Sequence, residues 1–296
     1  MTITRTGLSA AGTLYVVATP IGNLGDLSPR AVATLKNCDL IAAEDTRHTG
    51  VLLKHFQINT PQLSLHDHNE SSRAGELIAL LREGKSVALV SDAGTPAISD
   101  PGFELVRAVA ATGMNVVAIP GPCAAIAALS IGAVPTDRFC FEGFLPARGA
   151  ARKQRLKSLE SEPRTLVMYE SPHRVRETLE DCVAAFGEMR AATVVREATK
   201  LHETTYRGSL RELLDKSSAD ADFSRGEIVL LIGGASPAES ADDDAEAKAR
   251  LDKVLTTLLA ELPLKQAARL AAQITGARDN EAYKRALFLK EQSASH

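Results

Sequence analysis

The chain has 296 residues, 45% of them hydrophobic and 24% charged, with a formal net charge of −3. This composition excludes a disordered chain, and no apolar run reaches the roughly 18 residues that span a bilayer, so no membrane association is expected. The length suits two core-forming domains and a small third. The start, MTITRTGLSAAGTLYVV, lacks the apolar stretch and cleavage site of a signal peptide. Cys38, Cys123, Cys140 and Cys182 lie far apart with no CxxC pair. That spacing argues against a zinc or disulfide framework and for a reducing, cytoplasmic setting.

GTLYVVATP (12–20) reads as a buried strand, and SPRAVATLKNC (28–38) as a helix capped by Ser28 with Pro29 in its first turn. CDLIAAED (38–45) is a short apolar run ending in acids. ESSRAGELIALLREG (70–84) reads as a helix with Leu77, Leu80 and Leu81 on one face and Gly84 as its stop. KSVALVSDAG is a strand, GFELVRAVAATG a helix, MNVVAIPG a strand, and PCAAIAALSIGA a helix of small residues. This alternation predicts an α/β domain over 12–134 with a largely parallel sheet. FCFEGFLP, RTLVMYESP, a helix over 173–186, RAATVVREATK and GEIVLLIGG predict a second α/β domain over 135–235.

Residues 236–247 carry five acids and no base, whereas 248–290 carry nine Lys/Arg against four Asp/Glu. We read the first as a mobile acidic linker and 248–296 as a helical appendage of net +5 over 248–290. The appendage is expected to hold two helices, 262–276 and 277–291, around Gly276. Their apolar stripe is Leu264, Ala267, Ala268 and Ala271, then Tyr283, Ala286 and Leu287. Lys265, Arg269, Arg278, Lys284 and Arg285 stand on the other face, where they are either solvated or set against RNA phosphates.

In open α/β sheets, ligands bind beyond the carboxyl ends of the strands. Four loops there stand out, with Gly or Pro in each: TPIGNLGD (19–26), AEDTRHTG (43–50), SDAGTPAISDPG (91–102) and IPGPCAA (119–125). Such loops let backbone groups approach a ligand closely. There is no GxGxxG after the first strand and no GxxxxGK[ST], so dinucleotide and nucleoside-triphosphate sites are unsupported.

TPIGNLGD, EDTRHTG, HDHNE (66–70), SDAGTPAISDPG and PGPCAAIAAL, in that order and spacing, resemble the tetrapyrrole-methylase superfamily. YESPHR (169–174), REATKLHE (196–203) and the terminal helices extend the likeness over about residues 12–290. The first loop reads ATPIGNLGD where most of the superfamily shows GxGPGD. That departure resembles the ribosomal branch, which methylates the 2′-hydroxyl of a cytidine in 16S ribosomal RNA of the small ribosomal subunit. The resemblance implies two α/β domains of tetrapyrrole-methylase type with a cofactor cleft between them, a small C-terminal helix-turn-helix, S-adenosylmethionine as methyl donor, and a homodimer. It also implies cofactor contacts at Pro20; at Ala93, Gly94, Thr95 and Ile98; at Cys123 and Ala124; and at Tyr169 and Glu170.

A ribose hydroxyl is a poor nucleophile at neutral pH, so alignment and proton removal must help. Candidate bases are Asp45, Asp100, Glu170, Glu197 and Lys200. Asp45 either accepts a substrate proton or caps the next helix, and Arg47 either holds a phosphate or is solvated. Lys200 acts as a base only if burial lowers its pKa. His66 and His68 alternate as if on one strand face, which suits RNA contact or a structural hydrogen bond better than a metal. Arg174 serves RNA phosphate, the cofactor carboxylate, or a salt bridge at a helix start. Cys123 packs near the cofactor and is not a nucleophile. Two other functions compete: a methylase of the same superfamily acting on a tetrapyrrole or other non-RNA substrate, and a non-catalytic RNA-binding protein.

Overall fold

The computed structural model describes residues 12–235 and 240–293. The first sheet contains β1 (Thr13–Val17), β2 (Leu40–Ala43), β3 (Gln62–Ser64), β4 (Val87–Val90) and β5 (Asn115–Ile119), in the order β3-β2-β4-β1-β5. Every pairing in it is parallel. A parallel sheet needs cover on both faces, and the strand sequences provide it by alternation. Val17, Ile41, Ala88 and Val90 face α1 (Pro29–Asn37) and α2 (Thr46–His55). Leu14, Ala42, Val87 and Leu89 face α3 (Glu70–Arg82) and α4 (Phe103–Ala111). Ser28 caps α1 from its side chain, as its place before Pro29 predicts. In α3, Leu77 and Leu81 are fully buried.

The second sheet contains β6 (Phe139–Phe144), β7 (Thr165–Glu170), β8 (Ala191–Arg196), β9 (Thr204–Ser209) and β10 (Ile228–Ile232), in the order β6-β7-β10-β8-β9. Only β6 and β7 run parallel, and the other three pairings are antiparallel. The strand–helix alternation expected here is thus interrupted by the β8–β9 pair. One face packs on α6 (Gly149–Ser158), α7 (Val175–Phe186) and α8 (Leu210–Ala219). The other packs on α5 (Ala124–Ile131), whose Ala125, Ala128 and Leu129 lie against Val167, Val195, Val229 and Leu231. Small side chains let this helix sit close to the second sheet while its N-terminus extends from the first. Both sheets accordingly belong to one compact unit that ends at Gly234.

The residues from 235 onward form a separate unit. Among the described residues it holds three helices, α9 (Ser240–Leu259), α10 (Leu264–Thr275) and α11 (Asp279–Ser293), where two were expected. Residues 240–247 of the supposed linker belong to α9, and 236–239 lie outside the described residues. The sequence places acids at 242–244, near the start of α9. Gly276, left-handed at φ 78°, ends α10. The core is Leu251, Leu255, Ala268, Ala271, Ala272, Ala282 and Ala286. Tyr283 and Leu287, expected in it, are 42% and 40% exposed. No helix among the described residues is long and apolar enough to cross a membrane.

Beneath the second sheet, the Arg152 side chain is 2% exposed, and its Nε donates to Asp181 at 2.6 Å. Removing Asp181 leaves the buried guanidinium only the exposed Glu177, 3.1 Å from its Nη2. Asp181→Ala is expected to cost about 3 kcal/mol of stability, read as a lower midpoint in urea unfolding.

Candidate functional site

The carboxyl ends of β1, β4 and β5 are joined to one another. Thr19 and Gly94 exchange backbone hydrogen bonds of 2.8 and 3.1 Å. Thr19 Oγ1 donates to Ser91 O at 3.2 Å, and Thr95 Oγ1 donates to Pro122 O at 3.0 Å. The 91–102 loop carries Gly94, Ala97 and Ser99 at φ 83°, 68° and 64°. Left-handed backbone at two non-glycine residues is held by surrounding structure, and such strain concentrates at ligand sites. A Cβ at Gly94 would meet Ile21 Cγ2 at 3.3 Å, so the loops approach closely here.

These loops and the edge of the second sheet enclose a cavity of about 340 Å³. Small-molecule sites start near 300 Å³. Ala93, Gly94, Thr95 and Ile98 line it from one loop, Cys123 and Ala124 from another, and Tyr169 and Glu170 from β7. All eight were expected at a cofactor. Pro20 does not line it, because the Thr19–Gly94 bridge turns the chain so that the next residue, Ile21, does. Phe144, Glu227 and Ser99 also line it and are not among the residues expected there. Phe144 is the last residue of β6 and Glu227 immediately precedes β10, so strand ends were the available signal.

Asp100, Glu170 and Glu227 lie on the wall, and no Lys, Arg or His is among the described lining residues. Such a wall disfavours phosphate and favours a cation. Asp100 is half-buried. Burial first, then the charges of Glu44, Asp92 and Asp67, push its carboxyl up to about 6 against an opposing Ser91 hydrogen bond. Glu170 is committed elsewhere. Its Oε1 accepts from Ser171 N at 2.7 Å and Arg174 Nε at 2.9 Å, and its Oε2 from Thr178 Oγ1 at 2.6 Å. Tyr169 places its hydroxyl 3.3 Å from Ala125 N, which donates to it, and burial pushes its phenol up.

Several expected reactive groups are engaged by neighbouring side chains. Asp45 caps α2 and binds Arg47 through both carboxylate oxygens, at 2.8 and 3.1 Å to one and 2.6 Å to the other. Those hydrogen bonds hold its carboxyl well below the usual range, which makes it a weak base outside the cavity. Arg47 is exposed but engaged in that pair. Lys200 Nζ lies 2.9 Å from Glu197 and 3.2 Å from Glu227. Burial lowers its pKa, but the two carboxylates more than offset this and raise it, so the amine stays charged. Burial likewise raises Glu197, and Lys200 with the Glu227 backbone outweighs it, leaving Glu197 lowered. The Lys200 stem fills the space beside Gly22, where a Cβ would collide with it.

Arg174 takes the helix-start role, bound to Glu170 at 2.7 Å and to Leu145 O at 3.1 Å. His66 and His68 are not on a strand face, because β3 ends at Ser64 and 67–69 form a turn. His66 Nε2 lies 3.1 Å from Asn69 Nδ2, and the two rings meet edge to face at 6.0 Å. Among the described residues no group of three His, Cys, Asp or Glu side chains could hold a metal. In the C-terminal unit, Lys265, Arg269 and Lys284 are exposed. Arg285 instead forms a two-point ion pair with Asp252, both hydrogen bonds 2.6 Å.

A family model for tetrapyrrole (corrin/porphyrin) methylases matches residues 13–214. A model for the RsmI C-terminal HTH domain matches 243–290. A relative from Escherichia coli O157:H7, ribosomal RNA small subunit methyltransferase I, is 52% identical over 279 residues, covering 94% of this chain and 96% of its own. A relative of the same name from Synechocystis sp. is 49% identical, with 94% and 99% covered. Uroporphyrin-III-C-methyltransferase from Thermus thermophilus superposes with a TM-score of 0.54 at 20% identity, over 75% of this chain and 94% of that one. Diphthine synthase gives 0.55 at 13% identity, over 75% and 90%. The structural likenesses establish the two-sheet fold, and the family models and close relatives define an α/β methyltransferase. The chain belongs to the tetrapyrrole methylase family.

Gly94→Val forces a branched side chain into a left-handed position against Ile21. Titration calorimetry with S-adenosylmethionine should show no binding to the variant, and unchanged affinity would remove this loop from the site. Asp100 carries a second expectation, about stability. Its folded pKa is raised, so its ionised form burdens the fold, and stability declines as pH rises from about 4 through about 6. Asp100→Asn should therefore melt with the wild type near pH 4 and above it at pH 8.

Proposed function

We propose that this chain transfers the methyl group of S-adenosylmethionine to the 2′-hydroxyl of a cytidine in 16S ribosomal RNA. The observation that carries this reading is the cavity itself, where a pKa-raised carboxylate stands in a wall without cationic side chains. When bound, S-adenosylmethionine supplies an electrophilic methyl on a sulfonium cation. The wall fits a cationic donor: Ala93, Gly94, Thr95, Cys123 and Ala124 would hold it through close backbone approach, with Ile98 and Tyr169 packing on it. Asp100 takes the proton from the ribose hydroxyl. A carboxylate titrating at about 6 is ionised at neutral pH yet is a better proton acceptor than an ordinary one. Glu170 and Arg174 hold the 172–174 turn against the end of β7, and Lys200 fixes the 197–203 loop beside Gly22.

The RNA substrate rests on the close relatives named for it and on the C-terminal match. Lys265, Arg269 and Lys284 serve RNA phosphates in this reading, without Arg285. We place the protein in the cytoplasm as a homodimer. Its four cysteines are free, and Ile126 and Ile131 on α5 are exposed apolar side chains available to a second copy.

Labelled S-adenosylmethionine, incubated with 30S subunits, free 16S RNA and a tetrapyrrole precursor, tests the substrate. Label is expected in ribosomal RNA, and label only in the tetrapyrrole would contradict the reading. The rate should rise with pH through about 6 and level off. Asp100→Asn should lose that rise and about 10²–10⁴-fold in rate while keeping donor affinity.

A further inference from the structure

The cavity wall carries carboxylates, so the RNA backbone must be held outside it, and the fold offers a place beside the mouth. In β6 the register shifts between Phe141 and Gly143, so Glu142 is an extra residue in the pairing with β7. A bulge of one residue reverses the alternation of side chains beyond it. Phe141 and Phe144 therefore emerge on the same side, both edge-on to the Tyr169 ring, at 5.0 and 5.6 Å. Phe144 lines the cavity yet is 58% exposed. A Cβ at Gly143 would lie 2.9 Å from Ser99 Oγ, so this bulge abuts the residue just before Asp100.

Four residues after Phe144, Arg148 opens α6, a helix with four basic and no acidic residues in ten. Two of those four are committed: Arg152 is buried on Asp181, and Arg155 binds Glu142 at 2.6 Å. Lys153 is 68% exposed and reaches Asp181 at 3.6 Å. Arg148 and Lys157 are exposed. An exposed ring followed by spaced cations is the pattern by which proteins hold single-stranded nucleic acid, with bases on the ring and phosphates on the cations.

We infer that β6 and α6 form the rim on which the single-stranded RNA target lies: Phe144 stacks a base at the cavity mouth, and Arg148, Lys153 and Lys157 take the flanking phosphates. The inference rests on the ribosomal RNA reading above. It assigns RNA contact to the catalytic unit itself, separate from the C-terminal helices. A single strand is required because a ribose can reach an enclosed carboxylate only when its nucleotide leaves the stack.

The test uses the full chain and two readouts. Fluorescence anisotropy with a single-stranded RNA oligonucleotide of the target sequence reads the rim without methyl transfer, and calorimetry with S-adenosylmethionine reads the donor site. Phe144→Ala should weaken oligonucleotide binding about tenfold or more, Phe144→Tyr should restore it, and donor affinity should stay within twofold in both. Replacing Arg148, Lys153 and Lys157 together by Ala should lower the slope of log K against log salt by about 2. Donor affinity falling alongside RNA affinity in Phe144→Ala would make the ring a donor contact and overturn the proposal. An unchanged salt slope in the triple variant, or unchanged RNA binding in Phe144→Ala, would overturn it too. Weakened RNA binding in the variants, with no ribosomal RNA methylated even by the wild type, would uphold the rim while refuting the reaction assigned above.

Discussion

The site depends on the way three loops are tied at the carboxyl ends of parallel strands. The paired Thr19–Gly94 hydrogen bonds and the Thr95–Pro122 bond hold loops that are 75 and 27 residues apart in sequence. Tied together, they keep Ala97 and Ser99 in left-handed backbone and bring Asp100 onto the cavity wall. The helix that follows the third loop, α5, then lies on the second sheet and fixes where Tyr169 and Glu170 meet those loops. Burial of Asp100, and thus its raised pKa, follows from that closure.

Charge then divides the labour. Inside, Asp100 stands in a wall whose described residues include no cationic side chain, which suits a positively charged methyl donor and disfavours phosphate, whereas Glu170 and Glu227 are paired with Arg174 and Lys200. Outside, cations are available on α6 and, in the separate C-terminal unit, at Lys265, Arg269 and Lys284. A chain with a net charge of −3 can in this way handle a polyanion locally, because short-range contacts are set by the patch more than by the whole-molecule sum.

Much of this was legible in the sequence because it is local. Ser28-Pro29 marks a helix start, VALV a buried strand, and Gly-Pro loops at strand ends mark the ligand face; eight of the nine expected cofactor positions line the cavity. What was missed depends on distant partners. Lys200 reads as a potential base until Glu227 is brought beside it by the pairing of β10 with β8. Arg285 reads as a free cation until Asp252 arrives from α9. The acidic run before residue 248 resembles a linker, yet acids in opening turns also begin a helix. The strand β9, TTYRGS, is half-exposed at a sheet edge and lacks the apolar run of a central strand. Its end was marked by a capping box, Ser209 with Glu212, that the sequence does display.

Ribose methylation at the Asp100 cavity is read by mass spectrometry of nuclease-digested 16S RNA from cells lacking this gene and from the same cells given the wild-type or Asp100→Asn chain. One 2′-O-methylcytidine should be lost on deletion, returned by the wild type and not by the variant. A methyl found on a base, or RNA unchanged by deletion, would rule that chemistry out.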